Sequence, residues 1–285
     1  PRAIPEDKRK KHKKKPAPLT AKTADKYDLY QRPGQEPDPD VDFFLRVYRS
    51  NFKRTPALLR EDFCGTAAVC CEWAKRGRER FALGVDIDPE PLEWCRAHNL
   101  PKLSDEEQSR VKLVEGDVRD VGDPKADVLA AQNFSFWCFT SRDQLRQYFQ
   151  TALANLAERG VMVLDMMGGS ECFIEDTCDK RRFTDYRYEW RQKRVDPITH
   201  EMHCTISFVF RDKSRLDDIF SYEWRLWTMP EVRELLHEAG FARTDVYWEG
   251  TDPKTGEGDG EYRKRKHAEA DPSWVAYIVA VKMPQ

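Results

Sequence analysis

No stretch of this sequence approaches the roughly 20 apolar residues that a membrane span requires. The N-terminus is basic but has no apolar h-region, so a secretory leader is not expected. The chain begins at Pro1 rather than Met, which leaves room for residues upstream. It also lacks net charge: 48 Lys and Arg stand against 50 Asp and Glu, a formal charge of −2. No overall field therefore draws it to nucleic acid or to a membrane surface. Eight cysteines are present, yet no two stand at the Cys-x-x-Cys spacing of zinc or redox sites. Most lie in apolar context and read as reduced, small hydrophobes of an intracellular, cytoplasmic protein. Finally, there is no Gly-x-Gly-x-x-Gly, which argues against a dinucleotide whose pyrophosphate rests on a helix N-terminus.

What is present is enough apolar material, 40% of 285 residues, for one large core or a core with a cap. Residues 1–24 read as a disordered tail, because the lysine-rich block 8–15 repels itself and buries nothing. A sharper reading makes that block a phosphate contact or a nuclear address. Apolar residues at 41, 44, 45 and 48 predict a helix over 41–52. From there strands and helices alternate. Strands are expected at 57–63, 81–87, 111–115, 127–134 and 161–166, and helices at 67–76, 90–98 and 142–159, the last closed by Gly160. Strands apolar on both faces between amphipathic helices mean a parallel sheet covered on both sides. After Gly168 the pattern changes to three aromatic-rich strands, 186–195, 202–210 and 218–227, expected as an antiparallel lid over the carboxyl edge of the sheet. A helix at 229–239, a strand pair at 241–248 and 274–281, and a loop over 250–272 complete the chain. The expected organisation is a tail (1–24), a core with an N-terminal helical segment (25–170), the lid insert (171–227) and a C-terminal completion of the core (228–285).

The stretch around which the rest is arranged is residues 58–66, Leu-Leu-Arg-Glu-Asp-Phe-Cys-Gly-Thr. It is a strand, an acidic tight turn and a helix start. Next come a strand ending in Gly-Val-Asp-Ile-Asp, one ending in Glu-Gly-Asp-Val, and one ending in Gln-Asn-Phe-Ser. Over residues 58–282 this order resembles the class I S-adenosylmethionine (SAM)-dependent methyltransferases. The resemblance implies an α/β fold, a doubly wound, mostly parallel sheet with an antiparallel β lid insert, and S-adenosyl-L-methionine as cofactor. Where the family has glycine, this chain carries Phe63 and Ala67. Only Gly65 remains, and Asp62 is an additional acid in the turn.

The chemistry of SAM suggests roles for these residues. Its ammonium wants a carboxylate, Glu61 or Asp62, while the other acid caps the following helix. Gly65 allows close backbone approach, and Cys64 beside it is expected at the cofactor site as a small filler rather than a nucleophile. The ribose diol wants a carboxylate at the end of the second strand, which is Asp86, with Ile87 next to it. The adenine amino group wants an acceptor after the third strand, Asp117, with Val118 as apolar neighbour. Arg60 either pairs with the SAM carboxylate or forms a structural ion pair. Asn133 follows the fourth strand beside the cofactor, and Tyr27 and Tyr30 are expected to close over it.

Methyl transfer is a displacement at an already activated carbon, so alignment and exclusion of water can suffice. The catalytic residue is therefore unknown. His203 and Glu201 are candidates for a base, as are His200 and Asp165, and no metal is expected. The segment after the fourth strand is not Asn/Asp-Pro-Pro-Tyr, which argues against base or protein-amide substrates. Phe134, Trp137, Trp190 and Trp224 are expected to line a small-molecule acceptor site, while at least half of the lid aromatics only pack. The function expected is methyl transfer to an O or N atom of a small molecule. Two alternatives stand beside it: an RNA methyltransferase using residues 8–15 and 263–266 as phosphate contacts, and a SAM-binding module without catalysis.

Overall fold

The computed structural model describes residues 18–34, 37–251, 254, 255 and 258–283. The basic block 8–15 lies outside them. In chain order the elements are α1 (Lys26–Gly34), α2 (Pro37–Phe52), β1 (Leu58–Asp62), α3 (Ala68–Lys75), β2 (Phe81–Asp86), α4 (Pro89–His98), α5 (Asp105–Gln108), β3 (Val111–Glu115), β4 (Ala126–Ala131), α6 (Arg142–Asn155), β5 (Leu156–Gly168), β6 (Thr177–Arg182), β7 (Tyr186–Val195), β8 (Glu201–Phe210), β9 (Arg215–Arg225), α7 (Met229–Ala239), β10 (Arg243–Thr251), β11 (Gly258–Arg265) and β12 (Trp274–Val281).

Local chemistry explains many of the boundaries. Asp88 caps α4 by accepting from the Glu90 amide, with proline in the first turn. Reciprocal capping boxes, Ser141 with Gln144 and Thr228 with Glu231, start α6 and α7. Gly240 ends α7 at φ 108°, where a side chain would be strained.

The described strands form two sheets. The larger runs in the order β11-β10-β12-β5-β4-β1-β2-β3. β3, β2, β1, β4 and β5 run parallel to one another, whereas β12 pairs antiparallel with β5, β10 with β12, and β11 with β10. One face buries Val41, Phe44, Val69, Trp73 and Leu92 from α2, α3 and α4. The other buries Leu145, Tyr148, Phe149, Val232 and Leu235 from α6 and α7. Strand order reverses between β1 and β4, and the crevice outside the carboxyl ends of such strands is where α/β sheets bind ligands. Among the described residues no helix is long and apolar enough to cross a membrane.

The smaller sheet has the order β6-β7-β8-β9. At one end Met202, Cys204 and Trp224 join the core of α6 and α7. At the other, Ile206, Phe208 and Phe210 pack with Leu29 of α1.

Four expectations are corrected. Residues 18–24 are not part of a free tail: Leu19, Ala21 and Ala24 pack on the second sheet, and the Ala21 amide donates to Ser214 Oγ at 3.0 Å. The helix expected to reach 159 ends at Asn155, whose side chain donates to the Val121 carbonyl. Lys282 donates to the Leu153 and Leu156 carbonyls at that end, and Gly160 lies inside β5. The second sheet has a fourth strand, β6. The 250–272 loop contains β11, which covers the edge of β10 and leaves β10 and β12 inside the sheet.

Candidate functional site

The turn after β1 keeps a glycine-like backbone with one glycine, Gly65, where the family has three. Phe63, Gly65 and Ala67 lie at φ 58°, 51° and 50°. This left-handed region costs an L-residue roughly 1–2 kcal/mol. Packing offsets it: the Phe63 ring meets Phe139 and Tyr148 edge-on, at 6.0 and 5.7 Å between centroids, and Ala67 is fully buried. A β-branched side chain would add a clash at that φ and overfill the space. Ala67→Val is therefore expected to lose about 2 kcal/mol or more in urea unfolding, whereas Ala67→Gly changes stability by less than about 1 kcal/mol. Equal losses in the two variants would mean that Ala67 is not held left-handed.

Glu61 and Asp62, neighbours on β1, point opposite ways. The Glu61 carboxylate accepts from the Cys70 amide in the first turn of α3 at 3.2 Å, and burial pushes its acid up to about 8. Glu61 thus ties the strand to the helix. Asp62 lies on the other face, accepting from Arg60 Nε at 2.6 Å and the Tyr148 hydroxyl at 3.1 Å. Burial raises its acid to about 6 against the pull of Arg60. The rest of the Arg60 guanidinium donates to the carbonyls of Val121 at 2.6 Å and Val118 at 2.8 Å. Arg60 is fully buried, so its expected contact with the SAM carboxylate is corrected to the structural ion pair. The same pair takes Asp62 away from the turn's ligand side. Cys64 is buried, and its Sγ would stand 2.8 Å from a Cβ at Gly84, as a small filler should.

Asp86, at the carboxyl end of β2, accepts from the Gly65 amide at 2.7 Å and from the Asp88 amide at 3.0 Å. Burial raises its acid above the usual value. A Cβ at Gly65 would meet nothing within 4 Å, so the backbone there is open to a ligand. Ile87 is 68% exposed, unusual for its size. Asp117 is gripped by Arg119, whose Nε and Nη2 lie 3.0 and 2.6 Å from its two oxygens. That hydrogen bonding holds its acid below the ordinary range. Val118, next to Asp117, is buried in the core.

The fourth strand ends in a second strained turn, with Asn133 at φ 59° and Phe134 at φ 57°. Their amides donate to Asp165 of β5 at 2.8 and 2.9 Å. Asp165 is buried, which pushes its acid up to about 7.

Two cavities meet at this turn, sharing Asn133 and Arg181. The first, of about 670 Å³, lies between the second sheet and the ends of β4, β5 and β12. Tyr30, Phe134, Trp190, Tyr222, Trp224 and Trp274 give it aromatic walls. The second, of about 810 Å³, is lined by Asp40, Arg46, Gln132, Asp165, Glu261 and Tyr277 among others. Of the expected acceptor residues, Phe134, Trp190 and Trp224 line the aromatic cavity. Trp137 does not. It is fully buried behind Trp224, with centroids 6.0 Å apart, and is corrected to a packing residue.

Tyr30 reaches that cavity and packs on Phe220 at 4.9 Å. Tyr27 is buried between Trp94 and Phe220. His203 and Glu201 are corrected as base candidates. They alternate along β8 with the inward-facing Met202 and Cys204, so they point to the opposite face, where His203 Nε2 meets Ser221 Oγ at 3.0 Å. His200 lies in the turn before β8 beside Phe173, in neither cavity lining. Trp274 was not anticipated. Its signal is Gly168, directly opposite on β5, where a Cβ would fall 2.1 Å from the indole. Among the described residues no group of three or more His, Cys, Asp or Glu side chains could hold a metal ion.

Residues 62–164 match a family model described as a methyltransferase domain. Solved structures share the fold over nearly the whole chain. An S-adenosylmethionine-dependent methyltransferase from Clostridium acetobutylicum is 16% identical, with a TM-score of 0.64, over 91% of this chain and 98% of that one. A SAM-bound amino pentose methyltransferase of calicheamicin biosynthesis from Micromonospora echinaspora is 19% identical, with a TM-score of 0.62, over 90% and 96%. A sugar N-methyltransferase from a Streptoalloteichus species is 15% identical, with a TM-score of 0.59, over 91% and 93%. At such identities the likeness establishes the fold. No curated protein matches the chain.

Proposed function

We propose that this chain, a SAM-dependent methyltransferase by its methyltransferase domain and class I fold, moves the methyl group onto a nitrogen or oxygen of a small acceptor held in the aromatic cavity. The observation that carries this reading is the cavity's position. It opens at Asn133, on the turn after β4, one strand from the open Gly65 backbone.

The residues of the β1 and β2 turns suit the cofactor. Gly65 leaves room for the amino-acid tail, the half-buried Asp86 carboxylate suits a ribose diol, and the exposed face of Ile87 suits a flat base. Asp117 suits the adenine amino group once Arg119 yields one oxygen. When bound, SAM supplies a methyl group already activated by its sulfonium. The chain's own part is then to align the acceptor, exclude water and take up a proton where the acceptor carries one. Aromatic faces hold an apolar or cationic acceptor. The aromatic cavity also carries the carboxylates of Glu171 and Asp179, which favours a cationic amine over a hydroxyl. The amino pentose and sugar N-methyltransferases that share the fold agree with that choice.

The domain reading that follows is a catalytic core from 25–170 and 228–285 with 171–227 as its lid. RNA as acceptor has less support. In the 263–266 run, Arg263 is paired with Asp259 and Lys264 with Asp245, so gripping phosphate there would first break those pairs.

The test is methyl transfer from radiolabelled SAM to glucosamine, tryptamine and p-cresol, an amino sugar, an aromatic amine and a phenol. Turnover of an amine is expected. Removing both walls, Trp190→Ala with Trp224→Ala, should lower its kcat/KM by about 100-fold while SAM affinity stays within about twofold. Unchanged kcat/KM in that double variant would remove the cavity from the reaction.

A further inference from the structure

We propose that Asp165 is a positioning residue of the acceptor site: its carboxylate holds residues 133 and 134 in the conformation that points Asn133 and Phe134 at the acceptor. This rests on reading the aromatic cavity as the acceptor site.

The argument begins with backbone geometry. β4 pairs with β5 as far as Ala131 opposite Leu164. Beyond that point the chain leaves the sheet, and the amides of 133 and 134 lose any ladder partner. An amide leaving a strand ladder needs another acceptor, from the protein or from water. Asp165, next on β5, supplies both: Oδ2 accepts from the Asn133 amide at 2.8 Å and Oδ1 from the Phe134 amide at 2.9 Å. The two residues are consecutive and both left-handed, at φ 59° and 57°. Asparagine tolerates that region, whereas a phenylalanine there is an outlier that its surroundings must enforce.

The consequence reaches the site directly. Asn133 borders both cavities, and Phe134 lines the aromatic one, its ring set edge-on to Trp224 at 6.3 Å. Were the turn to relax toward ordinary φ values, both side chains would swing away from the place where the cavities meet. The clamp also requires two acceptor oxygens. An asparagine at 165 would present one oxygen and one NH₂ group, which faces an amide donor with another donor. Asp165→Asn is nearly isosteric and removes one of the two bonds.

The experiment uses the full chain and whichever of glucosamine, tryptamine and p-cresol has the highest kcat/KM. Asp165→Asn is expected to raise the acceptor KM by roughly tenfold or more. In that variant kcat should fall less than about threefold and the SAM Kd should move less than about twofold. An acceptor KM within about twofold of the wild type overturns the proposal, as does a matching loss of SAM affinity. Hydrogen–deuterium exchange of the wild-type protein gives a reading that needs neither the variant nor turnover. The amides of Asn133 and Phe134 are expected to exchange as slowly as that of Ala131, and exchange at loop rates overturns the clamp. Wild-type protein that binds SAM but methylates none of the three probes counts against the cavity reading, and the exchange rates then decide on Asp165 alone.

Discussion

Asp86→Ala is expected to weaken SAM binding by about 100-fold or more. The carboxylate stands at the end of β2, beside the point where strand order reverses, and a ribose diol can donate to it twice. Hydrogen bonds to a charged group contribute about 1.5–3 kcal/mol each, and 1.4 kcal/mol is tenfold in affinity. Losing both therefore costs at least about 100-fold. The same substitution frees the Gly65 amide, which Asp86 holds at 2.7 Å, and so loosens the turn that faces the rest of the cofactor. Asp86→Asn keeps one acceptor and should lose about tenfold. Isothermal titration of SAM into the two variants and the wild type checks the order. Undiminished affinity in Asp86→Ala would place the ribose elsewhere.

Arg60→Leu should instead be felt as stability. Arg60 and Asp62 form a fully buried ion pair, and three main-chain carbonyls of residues 118, 121 and 122 also accept from the guanidinium. Removing one partner of a buried pair typically costs about 3–5 kcal/mol, because the other is left uncompensated. For a chain of this size that is roughly a 10 °C fall in Tm. Asp62→Leu added to Arg60→Leu should recover much of it, since an apolar pair of similar volume is often neutral. SAM affinity of the folded Arg60→Leu protein should stay within about threefold, measured well below its Tm. A large loss of SAM affinity with unchanged Tm would return Arg60 to the role of a cofactor ligand.

The contrast between Asp86 and Arg60 marks how far the sequence could be read. Asp86 closes an apolar strand at a fixed place in a series, and a strand-end acid points out of the sheet into the crevice. Arg60 sits inside a strand, where the face a side chain takes depends on what covers it, here the carbonyls of the segment before β4. The same limit applies to His203. Its chemistry was visible, but its direction followed from the burial of Met202 and Cys204 on either side. The parallel strands and most helices were legible because their apolar periods are strong. β6 and β11 were not. They are edge strands dense in charge, Thr-Cys-Asp-Lys-Arg-Arg and Gly-Asp-Gly-Glu-Tyr-Arg-Lys-Arg, and edge strands carry such charge to discourage pairing with other chains. Alternation of apolar residues, the usual strand signal, is thereby erased. The end of α6 was misplaced for a related reason. Gly160 resembles a helix stop, but Lys282, far along the chain, caps the helix earlier.

Phe63 and Ala67 carry a more general lesson. The left-handed turn expected of three glycines is built here with only one, Gly65. Its shape is imposed by what surrounds it: the Phe63 ring against Phe139 and Tyr148, and Glu61 and Asp86 bonded to the amides of Cys70 and Gly65. A motif written in residue types misses a conformation held by contacts from other elements.

The most direct measurement is a crystal structure of the protein with S-adenosylhomocysteine bound. The account predicts both ribose hydroxyls within about 3 Å of the Asp86 carboxylate, the adenine against Ile87, and the sulfur facing Asn133 and the mouth of the aromatic cavity. A sulfur turned away from that cavity, or a ribose without Asp86, would contradict it.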